Sequence, residues 1–206
     1  MKRRLIISIF LFTAGWRLEA QHVTRPEKCW ALTHPFITKK AFHLTQFVLR
    51  VCDSLRTDTS LDGDINGGQL DAFRHAYWMC LLTQHIKAKK AYKLGVAHEK
   101  GNMRDFKKGN SEDNVRPDSM ACVMDLINDQ LGIQFGLGNV HSEKRLSDKE
   151  LISFITNEVR NGHMSILLKN KEKQFVTCDG AVINMADYHG KWGVPKCLAK
   201  SNIVSK

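Results

Sequence analysis

Acidic and amide side chains alternate with glycines between residues 61 and 78, in LDGDINGGQLDAFRHAYW. Counted from Asp62 as position 1, positions 1, 3, 5 and 10 carry oxygen-bearing side chains: Asp62, Asp64, Asn66 and Asp71. Alternating oxygen ligands with a glycine at position 6, here Gly67, are how a short loop wraps a hard cation such as calcium. A helix–loop–helix calcium site would have glutamate at position 12, where this chain has Phe73. The pattern therefore predicts either a shortened calcium loop or a polar turn whose side chains bond their own backbone.

A histidine and further candidate ligands follow on two predicted helices. Asp71 and His75 are four residues apart, so they share one helix face. In AHEKGN, His98 and Glu99 are adjacent and Asn102 follows one turn later. This stretch resembles the HExxH zinc pattern, although Asn102 stands where that pattern has its second histidine. These residues are candidate metal ligands, and Glu99 or His98 is a candidate general base.

The next predicted helix adds acidic and amide groups beside an apolar stripe. Asp125 shares a face either with Asn128 or with Asp129. Three helices that each offer one or two nitrogen or oxygen ligands have the composition of a metal centre inside a helical bundle. Their order resembles, as a chemical analogy, the H…HD…D plan of helical metal-dependent phosphohydrolases. The alternative for each residue taken singly is a hydrogen-bonded core histidine or a surface charge.

Predicted helices would position these groups, so the predicted fold class is mainly α, a helical bundle core with a small C-terminal strand-and-loop appendage. The helices cover about 33–55, 69–86, 87–100, 117–132 and 147–160. Thr33 is predicted to cap the first, Gly132 to end the fourth, and Ser147 with Glu150 to form a capping box before the fifth. The fourth is predicted to turn five apolar residues inward: Met120, Val123, Met124, Ile127 and Leu131.

The segments between these helices are predicted to be irregular. Residues 101–116 form a predicted polar loop, and IQFGLGNV after Gly132 is punctuated by glycines. Beyond Gly162, short β-branched runs with turn residues predict strands and loops.

The amino terminus has the layout of a secretory signal peptide. A basic start at 2–4 precedes an apolar run over 5–16, and Leu18 and Ala20 suit cleavage before Gln21. The run is too short for a stable membrane span, so we expect export to the periplasm or beyond and no transmembrane anchor after processing. The predicted organisation is a signal peptide at 1–20, a helical core domain at 21–162 and the appendage at 163–206.

The chain is basic, with a formal net charge of +10. Removal of residues 1–20 takes away four basic residues and one acidic residue and leaves +7. A basic surface suits anionic membrane or envelope material, or nucleic acid. Nucleic acid is less favoured because few aromatic residues interleave with a basic cluster. The alternative is a solvated surface that keeps the protein soluble.

All six cysteines lie in the predicted mature chain: Cys29, Cys52, Cys80, Cys122, Cys178 and Cys197. An even number in an oxidising compartment permits disulfides, with 15 possible connectivities. Cys178 and Cys197 flank a loop-rich tail, where a bridge would stabilise most. Cys80 and Cys122 fall on predicted apolar helix faces and are also explained as small core residues.

Three segments in this order resemble a bacterial helical domain of unknown function: GGQLDAFRHAYWMCLL, LGVAHEKGN and DSMACVMDLINDQLG. That domain occurs in exported proteins and at the C-termini of wall-associated, toxin-like proteins. The matching positions are Asp71, Arg74, His75, His98, Glu99, Asn102, Asp125, Asn128 and Gly132. Where the family reads MDLHNN this chain reads MDLIND, so Ile127 replaces a polar residue. The resemblance covers about 30–135 and implies a shared site without naming its reaction.

The residues taken together predict an exported metal-dependent hydrolase, acting on phosphoesters of lipid or envelope material and using a divalent ion, calcium or zinc. The ion would polarise a phosphoryl oxygen and activate a bound water, and Arg74 would stabilise developing charge. A metal-free variant would use Asp71 and His75 as an acid–base couple. The alternatives are a toxin-like nuclease and a non-catalytic, calcium-stabilised binding module, in which His75, His98 and Asp125 would lie apart.

Overall fold

The computed structural model describes residues 23–110 and 116–203. Its helices are α1 (Arg25–Thr33), α2 (Pro35–Leu55), α3 (Gln69–Ile86), α4 (Ala88–Lys108), α5 (Ser119–His141) and α6 (Asp148–Arg160). Strands β1 (Ser165–Leu167) and β2 (Leu198–Lys200) pair antiparallel with Ile166 opposite Ala199, and a 3₁₀ helix (Met185–Tyr188) lies between them. The fold class predicted from the sequence, a helical bundle with a small C-terminal strand-and-loop region, is confirmed. The predicted signal peptide at 1–20 lies outside the described residues.

Helix α3 forms the centre of the bundle. It packs against α2, α4, α5 and α6, and 14 of its 18 residues are buried. A helix that is apolar around most of its circumference is stable only inside a protein, and QLDAFRHAYWMCLLTQHI has that composition. Polar side chains on the buried faces of α3 are therefore held in the interior, as Asp71 and His75 are.

Helix α5 continues well beyond its predicted end at Gly132. A Cβ atom at Gly132 would lie 2.2 Å from the carbonyl oxygen of Ala76, and one at Gly136 would lie 2.7 Å from that of Cys80. The two glycines therefore let the backbones of α3 and α5 come into contact, which a larger residue would prevent. The prediction that Gly132 ends the helix was wrong, as was the irregular conformation predicted for IQFGLGNV, because these glycines serve helix packing.

The buried face of α5 also differs from the predicted one. Met124 is buried as expected, but Val123 and Ile127 expose 43% and 36% of their surface. The face toward the bundle carries small and polar residues instead: Cys122, Asp125, Asn128, Asp129, Gly132, Gly136 and Asn139. The apolar stripe failed as a guide because this helix directs its carboxylates inward.

Two helix boundaries near the middle and start of the chain were also predicted wrongly. Helix α4 runs through Gly101 to Lys108, so the predicted loop at 101–116 begins eight residues too early. Gly101 lies inside the helix at a point of close packing, where a Cβ atom would lie 2.4 Å from the Thr24 hydroxyl oxygen. Thr33 ends α1 instead of capping α2, and its hydroxyl donates to the carbonyls of Cys29 and Trp30. The capping box at the start of α6 is confirmed.

The C-terminal region packs onto the helical bundle. The Asn128 side chain donates to the Ser165 carbonyl and accepts from the Ser165 N–H, both at 2.9 Å. The Leu167 N–H donates to the Gly67 carbonyl at 2.7 Å. The disulfide Cys178–Cys197 closes this region, which confirms the expectation of a disulfide and selects one of the connectivities that the sequence left open, and Cys80 and Cys122 are free and buried. Within the described residues, no helix is both long and apolar enough to span a membrane.

Candidate metal centre

His75 of α3 lies at the centre of a buried polar cluster. Its Nδ1 is 3.0 Å from Oδ1 of Asp129, and its Nε2 is 3.4 Å from Oδ1 of Asp125 and 3.8 Å from Oδ1 of Asp71. When Nδ1–H donates to Asp129, the Nε2 lone pair faces two carboxylate oxygens. Arg74 pairs with Oδ1 of Asp71 at 2.7 Å, and a shared cation or proton would offset the repulsion between Nε2 and Oδ1 of Asp125. Nε2 is therefore a candidate metal ligand, and the other ring nitrogen is oriented by a carboxylate.

Helix α4 brings a second histidine and a fourth carboxylate to the cluster. The His98 ring centroid is 6.1 Å from that of His75, and its Nδ1 is 3.1 Å from Oε1 of Glu27 on α1. A metal bound by His98 would therefore bind Nε2, as at His75. Glu99 is buried and accepts a hydrogen bond from Nδ2 of Asn102 at 3.1 Å. Both histidines thus have a carboxylate at Nδ1, which is the usual arrangement around protein-bound zinc.

The ligand atoms form two overlapping groups that share His75. One group is Asp71, His75 and Asp125, and the other is His75, His98 and Glu99; within each, the ligand atoms lie within 4.8 Å of one another. Ligands on opposite sides of a metal with bonds of about 2 Å are about 4 Å apart, so only a small side-chain shift separates these groups from coordination.

Burial and mutual repulsion disfavour the charged forms of these side chains. Burial, together with the negative charges of Asp71 and Glu99, raises the pKa of Asp125 well above its usual value. Burial also raises the pKa of Asp129 to about 8 and that of Glu99 above its usual value. Burial and the nearby Arg74 charge lower the pKa of His75 to about 4. A divalent cation at this point would offset the carboxylate charges and the cost of burying them.

The structure brings together most of the residues that the sequence singled out. Asp71, His75, His98, Glu99 and Asp125 all belong to the cluster. Three other candidates support the cluster or the region next to it: Arg74 pairs with Asp71 at 2.7 Å, Asn102 holds Glu99, and Asn128 anchors β1. Asn128 is therefore placed as a structural residue instead of a ligand, because both ends of its amide are bonded to the Ser165 backbone.

The acidic loop before α3 has the geometry of a polar turn. Asp62 accepts from the backbone N–H groups of Asp64, Gln69 and Leu70 and so caps the start of α3. Asp64 accepts from the Asn66 N–H and pairs with the Lys169 ammonium. Asp71 Oδ2 accepts from the Gly67 N–H at 2.7 Å. These contacts match the second of the two interpretations of the sequence, in which loop carboxylates bond backbone groups.

A cavity of about 50 Å³ opens beside the cluster. Asp71, Arg74, Asn102 and Asp125 line it from the helices, while His75 lies one layer deeper. Five further residues from outside the cluster also line it: Arg116, Asp118, Leu167, Phe175 and Lys196. The C-terminal region that the sequence predicted as an appendage therefore forms part of the site.

Sequence reasoning did not identify Glu27 or Lys196 and gave Asp129 only as an alternative to Asn128. Glu27 lies on a short helix with little apolar pattern, and Lys196 lies in a loop-rich region. The one available signal was the spacing of Asp125 and Asp129, which places both on one face of α5.

The fold and the site define a helical-bundle protein with a buried histidine–carboxylate cluster. The chain belongs to the family described as a domain of unknown function, DUF6973, whose family model matches residues 28–163. No curated protein and no solved structure shows a significant match. The matched region contains both histidines and the four carboxylates around His75, whereas Glu27 and Lys196 lie outside it.

Proposed function

We propose that this protein is an exported hydrolase that uses a divalent metal ion held by His75, Asp71 and Asp125, with His98 and Glu99 alongside. One observation carries the proposal. His75 Nε2 and Asp125 Oδ1 face each other in the protein interior, and neither has a hydrogen-bond partner among the described residues. Buried polar atoms without a partner are costly, and a shared metal ion would satisfy both.

The ligand types favour zinc or a similar transition metal over calcium. Calcium sites are built from oxygen ligands, usually six to eight of them. This cluster mixes imidazole nitrogen with carboxylates, which suits zinc or iron. Carboxylates at the Nδ1 atoms of both histidines would fix the ring orientations and raise the basicity of the ligands.

The proposed reaction is hydrolysis of a phosphoester. A divalent ion held by His75, Asp71 and Asp125 would supply Lewis-acid chemistry, polarising the phosphoryl oxygen and making a nearby water more acidic. Glu99 takes a proton from the attacking water, the oxygen of that water bonds to phosphorus as the bond from phosphorus to the ester oxygen breaks, and Glu99 returns the proton to the departing alcohol. Arg74 at the cavity wall stabilises the charge that develops on the phosphoryl oxygens.

Metal analysis of the purified protein tests the site directly. We expect about one equivalent of a transition metal per chain and loss of that metal in His75→Gln and Asp125→Asn. Asp53→Asn is the matched control, because Asp53 is an exposed residue of α2, outside the cluster, that pairs with Arg56 at 3.8 Å. Full metal content in the two cluster variants, with folding intact, would refute the proposal.

A substrate panel tests the reaction class. Phosphomonoesters, phosphodiesters, phospholipids, nucleic acids and peptides are offered to the metal-loaded protein and to Glu99→Gln. Turnover of phospholipid or another envelope phosphoester that depends on Glu99 supports the proposal. Preferential cleavage of nucleic acid would favour the toxin-like nuclease, and binding of envelope material without any turnover would favour the binding module.

Export is a separate part of the proposal and has its own test. The mass of the protein recovered from the extracytoplasmic fraction should correspond to a chain that begins at Gln21. A cytoplasmic protein with its full mass would remove export from the proposal and leave the metal centre unaffected.

A further inference from the structure

The cavity beside the candidate metal cluster is lined by two further basic side chains, Lys196 and Arg116. Lys196 is 4% exposed, pairs with Asp118, and has its Nζ 3.6 Å from the Phe175 ring centroid. Arg116 lies over the Phe106 ring at 4.4 Å, and its Nη2 donates to the Phe106 carbonyl at 2.9 Å. Both side chains line the cavity.

Within the part of the chain that the structure describes, these cations retain hydrogen-bond donors without an acceptor. The Arg116 Nε is buried, and no described residue accepts a hydrogen bond from it. Lys196 has three N–H donors, and its contacts are one carboxylate and the face of a ring. Asp118, the acidic partner of Lys196, is itself engaged, because its Oδ1 accepts from the N–H groups of Met120 and Ala121 at the start of α5.

Among the described residues, the cavity is therefore lined both by an acceptor without a donor, Asp125 Oδ1, and by a donor without an acceptor, Arg116 Nε. Its volume of about 50 Å³ can be compared with the roughly 10–15 Å³ that one water requires. The space consequently suits a group of a few heavy atoms, with the rest of a larger molecule outside. A tetrahedral oxyanion, whose oxygens accept hydrogen bonds and also bind metals, suits both the basic side chains and a metal held by the carboxylates.

We infer that Lys196 and Arg116 bind the phosphoryl group of the substrate and hold it against the metal cluster. The inference rests on the proposed function, since the metal supplies the other half of the phosphoryl site. It also assigns a role to the chain beyond the family match, because Leu167, Phe175 and Lys196 all follow residue 163. Substrate recognition would then depend on a region that the family match does not include.

Binding of inorganic phosphate to the metal-loaded protein, measured by titration calorimetry, tests the inference. We expect Lys196→Met/Asp118→Asn to weaken phosphate binding at least tenfold. The second substitution removes the carboxylate that would otherwise be left buried without its cation. Arg116→Gln should weaken binding as well, and in turnover assays both variants should raise KM more than they lower kcat. Lys191→Met is the matched control, because Lys191 is an exposed lysine of the same region that lies over Tyr188.

The outcomes separate this inference from the proposed function. If the variants keep their metal and bind phosphate as the unaltered protein does, the wall does not bind the phosphoryl group and only this inference fails. The same conclusion follows if the unaltered metal-loaded protein binds no phosphate. If the protein holds no metal but phosphate binding still depends on Lys196, the wall is supported and the proposed hydrolase fails.

Discussion

Asp129 decides which nitrogen of His75 faces the cluster. Its Oδ1 is 3.0 Å from Nδ1, and a Cβ added at Gly95 would lie 2.3 Å from its Oδ2, so the α4 backbone lies directly against the carboxylate. The small residue at 95 makes room for the group that orients the central ligand. The orientation of His75 is thus set by residues on three helices.

We expect Asp129→Asn to weaken metal binding about 10- to 100-fold without removing a ligand, because carboxylates that orient metal-bound histidines contribute on that scale. Competition with a chelator of known affinity measures the change. Asp53→Asn provides the comparison, and equal affinities of the two variants would contradict the orienting role.

The raised carboxylate pKa values predict how the metal-free protein responds to pH. The pKa of Asp129 is raised to about 8 and that of Asp125 well above its usual value, mainly by burial. Between pH 6.5 and 8 the unfolded chain has lost these protons while the native state still holds part of them, so the free energy of unfolding falls as pH rises. The lowered pKa of His75 has the opposite effect, because it makes the free energy of unfolding rise with pH, but only between about pH 4 and 6.5.

We therefore expect the metal-free protein to lose about 2 kcal/mol of unfolding free energy between pH 6.5 and 8, from about 1.4 kcal/mol per pH unit for one proton. Saturating zinc should flatten this dependence, because it replaces the protons. Urea unfolding in chelator and in zinc, at both pH values, gives the comparison. A metal-free protein that gains stability over this range would show that the carboxylates are already ionised.

At the residue scale, the sequence identified the members of the buried cluster better than the residues that hold them. Asp71 with His75, and His98 with Glu99, were recognisable because helical spacing and residue type both point to metal binding. Glu27 was not, since its pairing with His98 spans 71 residues and depends on how α1 packs against α4. Contacts of that kind follow from tertiary structure and leave no local pattern.

Two glycines of α5 illustrate how the elements are held together. Gly132 is in contact with the α3 backbone, whereas a Cβ at Gly138 would meet nothing within 4 Å. We expect Gly132→Ala to destabilise the protein by about 1–3 kcal/mol, as overpacking does. Gly138→Ala, in the same helix, should stabilise it by up to about 1 kcal/mol because alanine is the better helix former. Thermal unfolding of both variants measures the difference, and a shift of the same sign in the two would argue against close packing at 132.

At the element scale, most helices could be predicted, but the orientation of α5 could not. Hydrophobic periodicity assumes that the apolar face is buried. In α5 the buried face is small and polar, because it serves close helix packing and the histidine–carboxylate cluster at the same time. Helix α1 was missed for a related reason, since only Trp30 of its nine residues is buried.

The disulfide connects the stability of the whole molecule to the shape of the cavity, because one of its cysteines adjoins a residue that lines the cavity. Cys178 and Cys197 are 19 residues apart, and Cys197 directly follows Lys196. We expect Cys178→Ala/Cys197→Ala to lower the free energy of unfolding by about 3 kcal/mol, the value for a loop of this length. Phosphate affinity should fall in the same variant, while metal content should be kept. Phosphate affinity equal to that of the unaltered protein would show that the wall holds its shape without the bridge.

At the scale of the whole molecule, the sequence predicted the order of helices and strands but not that the two regions form one site. The boundary near residue 162 marks a real change from helices to short strands. Asn128, Gly67 and Lys169 nevertheless connect the two sides across this boundary. Such connections join residues about 37 to 105 positions apart, and composition carries no information about them.

Glu27 and Lys196 lie on either side of the family match, one residue before it and well after it. A fragment cut to residues 28–163 would keep every proposed ligand and still lose the anchor of His98, the ammonium facing the phosphoryl group and the only disulfide in the described residues. Such a fragment could bind metal in solution and yet turn over nothing. Inactivity measured on the excised region would therefore say little about the intact protein.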